Sequence, residues 1–302
     1  EYLLNIFGNV NIDLLEQDEK LYGFDKYFNG RISIPIREYI GYLVNKQKNQ
    51  PTKEFKKDKI YFGVNFDLDI ISGPTDELRT KIDPQISFGS NYDALSYVRH
   101  HVPGMTLPQY YIKEKGVWTG GHEENLRISS INICHQGGES EWYGVGLEHA
   151  DKFREFIKKT EDIDIYKRES LWFVNYEYFL KNQMEVLYTI QKPGDIMIVG
   201  PGCIHWVKSR GYGIHSSWNF CTKEYSQIKT AIDRYNINLE TDIQNLVPLR
   251  TLFLDMLNFE IDSIDKDIVN LCYEFIREEV DNSRARYQYI KENKYQYRYN
   301  FI

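Results

Sequence analysis

Two histidines and one glutamate have the residue types and the spacing of an iron site. His122 and Glu124 lie two positions apart in an extended segment, and His205 follows some eighty residues later. Because side chains alternate faces along a strand, His122 and Glu124 point the same way, as a shared metal requires. Two imidazoles and one carboxylate bind one face of Fe(II) and leave three positions open for a co-substrate and O2. The triad therefore predicts a non-haem iron centre.

Each histidine also has an ordinary structural interpretation. His122 fits a surface loop, and His205, which precedes Trp206, fits a core histidine whose ring nitrogens are already hydrogen-bonded. An H-x-E pair followed by a later histidine also occurs by chance. The residues around the triad must therefore decide between the two interpretations.

Small polar residues and one lysine flank the triad at spacings that suit an anionic ligand. Ser130 and Asn132 lie in phase on a predicted strand, and small polar side chains that point into a pocket are candidates for binding a carboxylate. Lys113 precedes His122 by nine residues, and its ammonium would pair with a second carboxylate at the far end of that ligand. The ordinary interpretation of Lys113 is a surface lysine.

Short strands separated by turn residues must position these side chains. Glycine and proline mark the turns, as in Gly200-Pro201-Gly202. The predicted strands span residues 59–68, 106–113, 127–134, 141–147, 185–191, 195–199, 203–209 and 214–220. A helical insertion is predicted at 149–160, and shorter helices at 36–44 and 91–101. Many short strands favour a sandwich or jelly roll over a parallel α/β sheet.

The pattern changes to helical periodicity after Thr222. The predicted helices span 223–235, 247–257 and 264–291, and the last of them carries an apolar stripe. We therefore divide the chain into an N-terminal extension (1–57), a β domain (58–222) and a helical C-terminal segment (223–302). The tyrosine-rich stretch 294–300 fits a strand, a tail or a partner surface.

Composition limits the classes of function and partner. The net charge of −7 over 302 residues speaks against nucleic acid as the main partner and is compatible with a basic peptide substrate. The four cysteines have no C-x-x-C spacing, which indicates a reducing compartment rather than a zinc ribbon or a disulfide framework. No run of 18 apolar residues predicts a membrane span. The first residue is not Met and no signal-peptide pattern follows, so we expect a segment of a longer protein.

The motifs around the triad resemble the JmjC domain of UTX-type histone lysine demethylases, the histone H3 lysine 27 demethylase family. The resemblance covers roughly residues 58–260. The runs that carry it are Phe62–Leu68, Pro103–Met105, Gln109–Lys113, Thr119–Asn125, Ser130–Ile133, Gln191–Asp195, His205–Val207 and Trp218–Asn219. It implies a mainly β fold of the double-stranded β-helix type, a cupin-like jelly roll with an N-terminal extension and a helical C-terminal segment.

The resemblance also implies roles for nine residues. The iron ligands it implies are His122, Glu124 and His205. The 2-oxoglutarate-binding residues it implies are Lys113, Thr119, Ser130 and Asn132. The substrate-binding residues it implies are Tyr111, in the methyl-lysine pocket, and Ser217, near the substrate methyl groups.

The function implied is Fe(II)- and 2-oxoglutarate-dependent demethylation of a methylated lysine in a histone tail, with lysine 27 of histone H3 as the expected position. The products would be formaldehyde, succinate and CO2. A nuclear location and chromatin complexes formed through flanking segments are expected, without direct nucleic-acid or membrane binding. The alternatives are a JmjC protein hydroxylase, a non-catalytic chromatin-binding module, and a sugar-binding or isomerase cupin that needs no 2-oxo acid.

Several positions depart from the family pattern. Gly120 replaces a usual Pro, Glu123 a usual Gln, and His215 a usual Asn. We interpret His215 either as a solvated strand residue or as a residue that alters the methyl pocket. UTX-type enzymes also carry a four-cysteine zinc module after the helical segment, and this sequence shows none. The tryptophans 118, 142 and 206 fit either an aromatic cage or ordinary core positions.

Overall fold

Two antiparallel β-sheets form the centre of the computed structural model, which describes residues 2–18, 23–24, 30–48, 55–68 and 73–292. The larger sheet contains seven strands in the order β2 (Gly30–Pro35), β1 (Asn11–Gln17), β3 (Ile60–Asp67), β4 (Gln109–Lys113), β11 (Gly213–Phe220), β6 (Ser129–Gly137) and β9 (Ile196–Val199). The smaller sheet contains four strands in the order β5 (Trp118–His122), β10 (Ile204–Ser209), β7 (Ser140–Val145) and β8 (Leu187–Gln191). The predicted mainly β fold with a helical C-terminal segment is confirmed.

Burial along the strands follows their place in the sheets. The interior strand β3 is rich in β-branched and aromatic residues and is buried on both faces except at Asn65 and Asp67. The strands β8 and β9 lie at sheet edges and leave apolar side chains such as Leu187 and Ile198 exposed. From β4 onward, the chain changes sheet at every step except from β7 to β8, as in a jelly roll.

The first sixty residues add structure to the large sheet. Strand β1 pairs antiparallel with both β2 and β3. Helices α1 (Tyr2–Phe7) and α2 (Ile36–Gln47) pack over these strands, in a cluster that includes Phe7 and Tyr39. The predicted helix at 36–44 is confirmed. The division of the chain at residues 57 and 222 stays a prediction.

Three long helices follow the last strand, as the periodicity predicts. They are α6 (Tyr225–Glu240), α7 (Leu249–Glu260) and α8 (Lys266–Glu292). Their apolar faces form one cluster around Phe253 and Phe275, which extends to Leu126 and Ile128 beside the triad. The helical segment is therefore packed directly against the β domain. The tyrosine-rich stretch 294–300 lies outside the described residues.

The outer side of the small sheet is covered by aromatic residues. Helix α4 (Leu147–Glu161) is the predicted insertion, and a short helix α5 (Tyr176–Lys181) follows it. Trp118 and Trp206 lie with Trp172 in the cluster beneath these helices. The core interpretation of these two tryptophans is therefore confirmed.

The predicted helix at 91–101 is wrong. Only a single 3-10 turn forms, from Ala94 to Tyr97, after the helix α3 (Pro74–Lys81). The Asp93 carboxylate accepts hydrogen bonds from the backbone N–H groups of Leu95 and Cys221, so it holds the turn to strand β11 instead of a continuing helix. Of the described helices, none is long and apolar enough to cross a bilayer.

Candidate metal centre and ligand pocket

The two histidines of the triad face each other across neighbouring strands. His122 ends β5, and its Cα is the register partner of His205 on β10. Side chains of opposed residues in an antiparallel pair leave the sheet on the same side. The rings therefore meet, with their centroids 4.2 Å apart.

Glu124 completes the group from the turn that follows β5. Its Oε1 lies 3.9 Å from His122 Nε2 and 3.6 Å from His205 Nε2, and the three ligand atoms all lie within 4.8 Å of one another. Two ligands that each sit about 2.1 Å from a metal are at most about 4.2 Å apart. The separations from Glu124 therefore suit a single ion.

Backbone carbonyls set the tautomers of both rings. His122 Nδ1 lies 2.8 Å from the Gly120 oxygen, and His205 Nδ1 lies 3.1 Å from the Cys203 oxygen. A carbonyl oxygen only accepts, so each Nδ1 carries the hydrogen and each Nε2 keeps a lone pair. Burial and the neighbouring His122 lower the pKa of His205, which keeps that ring neutral. Both rings therefore present an Nε2 ready to bind a metal.

The second carboxylate oxygen of Glu124 is held by strand β11. Asn219 Nδ2 donates to Glu124 Oε2 at 2.8 Å and also to the Ser129 carbonyl at 3.3 Å. Burial raises the pKa of Glu124, but the nearby imidazoles together with hydrogen bonds from Asn219 and Ser130 bring it below its usual value. The carboxylate is thus held charged, as a metal ligand must be.

A β-bulge explains how Thr119 shares a face with His122 at a spacing of three. His205 pairs with His122, but Val207, two residues on, pairs with Thr119. The extra residue in β5 shifts the alternation by one, which re-aims the side chains that follow. Thr119 is half-buried on the same side of the sheet as the triad.

The bulge contains two glycines because the segment from Ser170 to Trp172 passes very close to it. A Cβ on Gly120 would lie 2.1 Å from the backbone oxygen of Ser170, and one on Gly121 would lie 2.0 Å from the Trp172 ring. Gly121 also exchanges backbone hydrogen bonds with this segment, at 2.8 Å to Trp172 and 2.8 Å from Ser170. Glycine at position 120, where the family usually has proline, therefore lets the segment after α4 pack against β5, the strand that carries His122.

Lys113 is buried and not a surface lysine. It ends β4 with 4% of its surface exposed, and burial lowers its pKa to about 8. The described part of the chain gives its ammonium no carboxylate partner. A buried cation without a counter-ion is costly, so this position calls for an anion from outside the chain.

Ser130 and Asn132 lie on the same inner face of the large sheet as Lys113. Strand β11 lies between β6 and β4. On its β6 side, Asn219 opposes Ser130 and Ser217 opposes Asn132; on its β4 side, Gly213 opposes Lys113. Asn132 and Ser130 are 8% and 4% exposed. The structure therefore brings the predicted polar residues and Lys113 to one face of the large sheet, the face that is turned toward the triad.

The two residues expected in the substrate pocket are half-buried on that face. Tyr111 lies two residues before Lys113, and burial and the Glu124 charge raise the pKa of its phenol. The Ser217 hydroxyl donates to the Ile131 carbonyl at 2.7 Å. Both residues therefore lie on the same face as Ser130 and Asn132. Tyr111 is also close enough to the triad for the Glu124 charge to affect it.

Sequence reasoning missed several residues that complete the site. Asn219 was visible only as part of a motif, although it lies in phase with Ser217. Trp142 stacks on His205 with ring centroids 5.8 Å apart, and its indole N–H donates to Gln191. His215 is fully buried, so its interpretation as a solvated strand residue is wrong. No local pattern marks these contacts, because they join residues far apart in sequence.

Comparison with known proteins agrees with this geometry. Residues 109–220 match the family model described as JmjC domain, hydroxylase. The human lysine-specific demethylase 6B is 29% identical over 192 residues, which are 63% of this chain and 12% of that protein. The lysine-specific demethylase jmjd-3.1 of Caenorhabditis elegans is 29% identical over 200 residues, which are 64% of this chain and 18% of that protein. The chain thus spans less than a fifth of the length of either relative.

Proposed function

We propose that this chain, whose residues 109–220 form a JmjC domain, is an Fe(II)- and 2-oxoglutarate-dependent dioxygenase that demethylates a methylated lysine of a histone tail. The observation that carries the proposal is the convergence of His122, Glu124 and His205, with their ligand atoms within 4.8 Å on the cavity side of the small sheet. The two relatives that are named lysine-specific demethylases support the substrate class.

The polar face of the large sheet suits 2-oxoglutarate. When bound, Fe(II) and this co-substrate supply the oxidising chemistry, and the protein orients them and limits water. Lys113 pairs with the distal carboxylate, while Thr119, Ser130 and Asn132 offer short polar groups to the same ligand. The unpaired buried ammonium of Lys113 supports this assignment.

The substrate lysine would enter beside Tyr111 and Ser217. Polar and aromatic side chains receive a methylammonium by C–H···O contacts and cation–π attraction. Lysine 27 of histone H3 is the position we propose, on the resemblance to UTX-type enzymes. A nuclear location belongs to the same proposal, since the substrate is chromatin.

A peptide array tests the function. The protein is incubated with Fe(II), 2-oxoglutarate and methylated histone peptides, including one centred on lysine 27 of histone H3, and the products are analysed by mass spectrometry. We expect loss of one CH2 unit per methyl group removed, together with formaldehyde. Gain of one oxygen without formaldehyde would instead identify a hydroxylase, the activity in the description of the matched family. Peptide binding without any mass change would indicate a non-catalytic module.

The matched variant is His205→Ala. Because it removes one of three metal ligands, we expect both Mn2+ binding and turnover to be lost while circular dichroism shows the wild-type fold. Unchanged turnover in a folded His205→Ala protein would refute the assignment of the metal centre.

A further inference from the structure

A hydrogen-bonded relay crosses the cavity from the small sheet to the large one. Trp142 Nε1 donates to Gln191 Oε1 at 2.9 Å. Gln191 Nε2 then lies 3.0 Å from the backbone oxygen of Asn132 and 3.3 Å from its Oδ1. On the other side of Asn132, His215 Nδ1 lies 3.0 Å from the same Oδ1.

The indole fixes the direction of every hydrogen bond in this relay. Because an indole N–H only donates, Gln191 Oε1 is the acceptor and Gln191 Nε2 is the donor. Asn132 Oδ1 therefore accepts from Gln191, and it must also accept from His215. The Nδ1 atom of His215 thus carries the hydrogen, and in a neutral ring its Nε2 is left with a lone pair.

That Nε2 lies in a buried place without a partner. His215 has none of its surface exposed, and its Nε2 makes no hydrogen bond to the described residues. Burial, followed by the charge of Lys113, lowers the pKa of the ring to about 2, so it stays neutral. A buried acceptor of this kind costs free energy unless a donor satisfies it.

The chemically matching group on the neighbouring strand β4 is the ammonium of Lys113, whose charge acts on the His215 ring. Lys113 pairs in register with Gly213, while His215 lies two residues further along β11 on the same face. A Cβ on Gly213 would lie only 3.3 Å from His215 Nε2, so the ring leans over Gly213 toward Lys113. Among the described residues, an ammonium without a carboxylate and an imidazole nitrogen without a donor thus lie on the same face of neighbouring strands.

We infer that His215 is a positioning residue for Lys113, whose ammonium donates one hydrogen bond to His215 Nε2 and keeps two for the distal carboxylate of 2-oxoglutarate. The inference rests on the proposed function of the same site. UTX-type enzymes usually carry Asn at position 215, so the imidazole distinguishes this chain from the family pattern.

Ligand binding without turnover tests the inference. Calorimetry on Mn2+-loaded protein compares 2-oxoglutarate with 2-oxobutyrate, a 2-oxo acid that lacks the distal carboxylate. We expect His215→Phe to weaken 2-oxoglutarate binding about tenfold or more, as the loss of a hydrogen bond to a charged group predicts. Binding of 2-oxobutyrate should change by less than about twofold, since it makes no contact with Lys113. His215→Gln keeps an acceptor and a donor, so it should retain most of the affinity.

The outcomes separate this inference from the proposed function. Equal 2-oxoglutarate affinity in His215→Phe and wild type, or equal weakening of both ligands, would overturn the positioning role. Wild-type protein that binds Mn2+ but not 2-oxoglutarate would overturn the proposed function itself.

A second measurement tests the same hydrogen bond if His215→Phe does not fold. Long-range 1H–15N NMR of the wild-type protein should show His215 as the Nδ1–H tautomer, with an Nε2 resonance that shifts in Lys113→Met. An Nε2 resonance unchanged by Lys113→Met would refute the hydrogen bond.

Discussion

At the scale of single residues, both histidines of the triad are oriented in the same way. Each donates its Nδ1 hydrogen to the carbonyl two residues earlier, Gly120 for His122 and Cys203 for His205. The backbone therefore chooses the tautomer, and no further side chain is needed to expose Nε2. Such support around ligands is as important to metal binding as the ligands themselves.

Gly121, next to His122, leaves no room for a side chain. We expect Gly121→Ala to destabilise the protein by at least about 2 kcal/mol, because a Cβ there would lie 2.0 Å from the buried Trp172 ring. The displacement of β5 should also weaken Mn2+ binding by the adjacent His122. Urea denaturation and Mn2+ titration measure the two effects.

Gly41→Ala is the matched control. Gly41 is exposed within α2, and a Cβ there meets nothing within 4 Å. Because alanine favours helix over glycine, this variant should be more stable by about 0.5–1 kcal/mol. Equal stability of the two alanine variants would contradict the close packing at Gly121.

At the scale of elements, a buried ion network holds the Glu124 turn to helix α6. Glu123 accepts from Arg127 at 3.0 Å and pairs with Arg234 on α6 at 2.8 Å, and all three side chains are buried. The turn contains two non-glycine residues in the left-handed region, Leu126 (φ 54°) and Arg127 (φ 56°). Strained conformations of this kind persist only where their surroundings enforce them.

Glu123→Ala should therefore cost about 3–5 kcal/mol, because it leaves the buried Arg127 without its carboxylate and Arg234 with only the longer pair to Glu169, at 3.5 Å. Metal affinity should fall as well, since the turn that carries Glu124 loses its anchor. The measurements are the free energy of unfolding and a Mn2+ titration of the folded fraction.

The control is Lys158→Ala, which removes an exposed ion pair with Asp162 on helix α4. An exposed pair contributes little, so the stability should change by less than about 0.5 kcal/mol with unaltered Mn2+ affinity. Similar losses in the two variants would show that the Glu123 network does not anchor the site.

At the scale of the whole molecule, the three largest apolar clusters lie outside the space between the sheets that holds the triad. One cluster lies under α1 and α2, one lies between α4, α5 and the small sheet, and one joins α6, α7 and α8 to the triad's turn. Polar side chains line the space between the sheets near the triad, and two smaller apolar clusters, around Phe62 and around Trp142, also face this space. Most of the apolar packing thus lies in the outer clusters, which leaves the polar part of the interior available for ligands.

The helical cluster offers a direct test of that division. Phe253 of α7 is fully buried against Phe275 of α8, with ring centroids 5.5 Å apart. We expect Phe253→Ala to lower the free energy of unfolding by about 3–5 kcal/mol. Phe259→Ala, on the same helix with 72% of the residue exposed, should cost about 1 kcal/mol or less. Equal costs would mean that α7 does not pack as described.

The sequence by itself determined the features that depend on local pattern. The spacing of two residues predicted that His122 and Glu124 share a site, turn residues separated the short strands, and helical periodicity marked the segment after Thr222. Strand alternation was the wrong reason for the first of these, because β5 ends at His122 and Glu124 lies in the following turn. The residue types of the triad indicated iron before any resemblance was considered. These features depend only on residues that are close together in the sequence, so they can be predicted from the sequence alone.

Only the tertiary structure decided how distant segments meet. The bulge that brings Thr119 into phase with His122 depends on the pairing of β5 with β10. The burial of His215 and its place in the relay depend on β11 lying between β4 and β6, opposite Gln191 of the other sheet. The turn at Asp93 replaces a helix because its carboxylate binds Cys221, 128 residues away. Register and hydrogen bonds across such separations are set by strand pairing, which a local pattern does not specify.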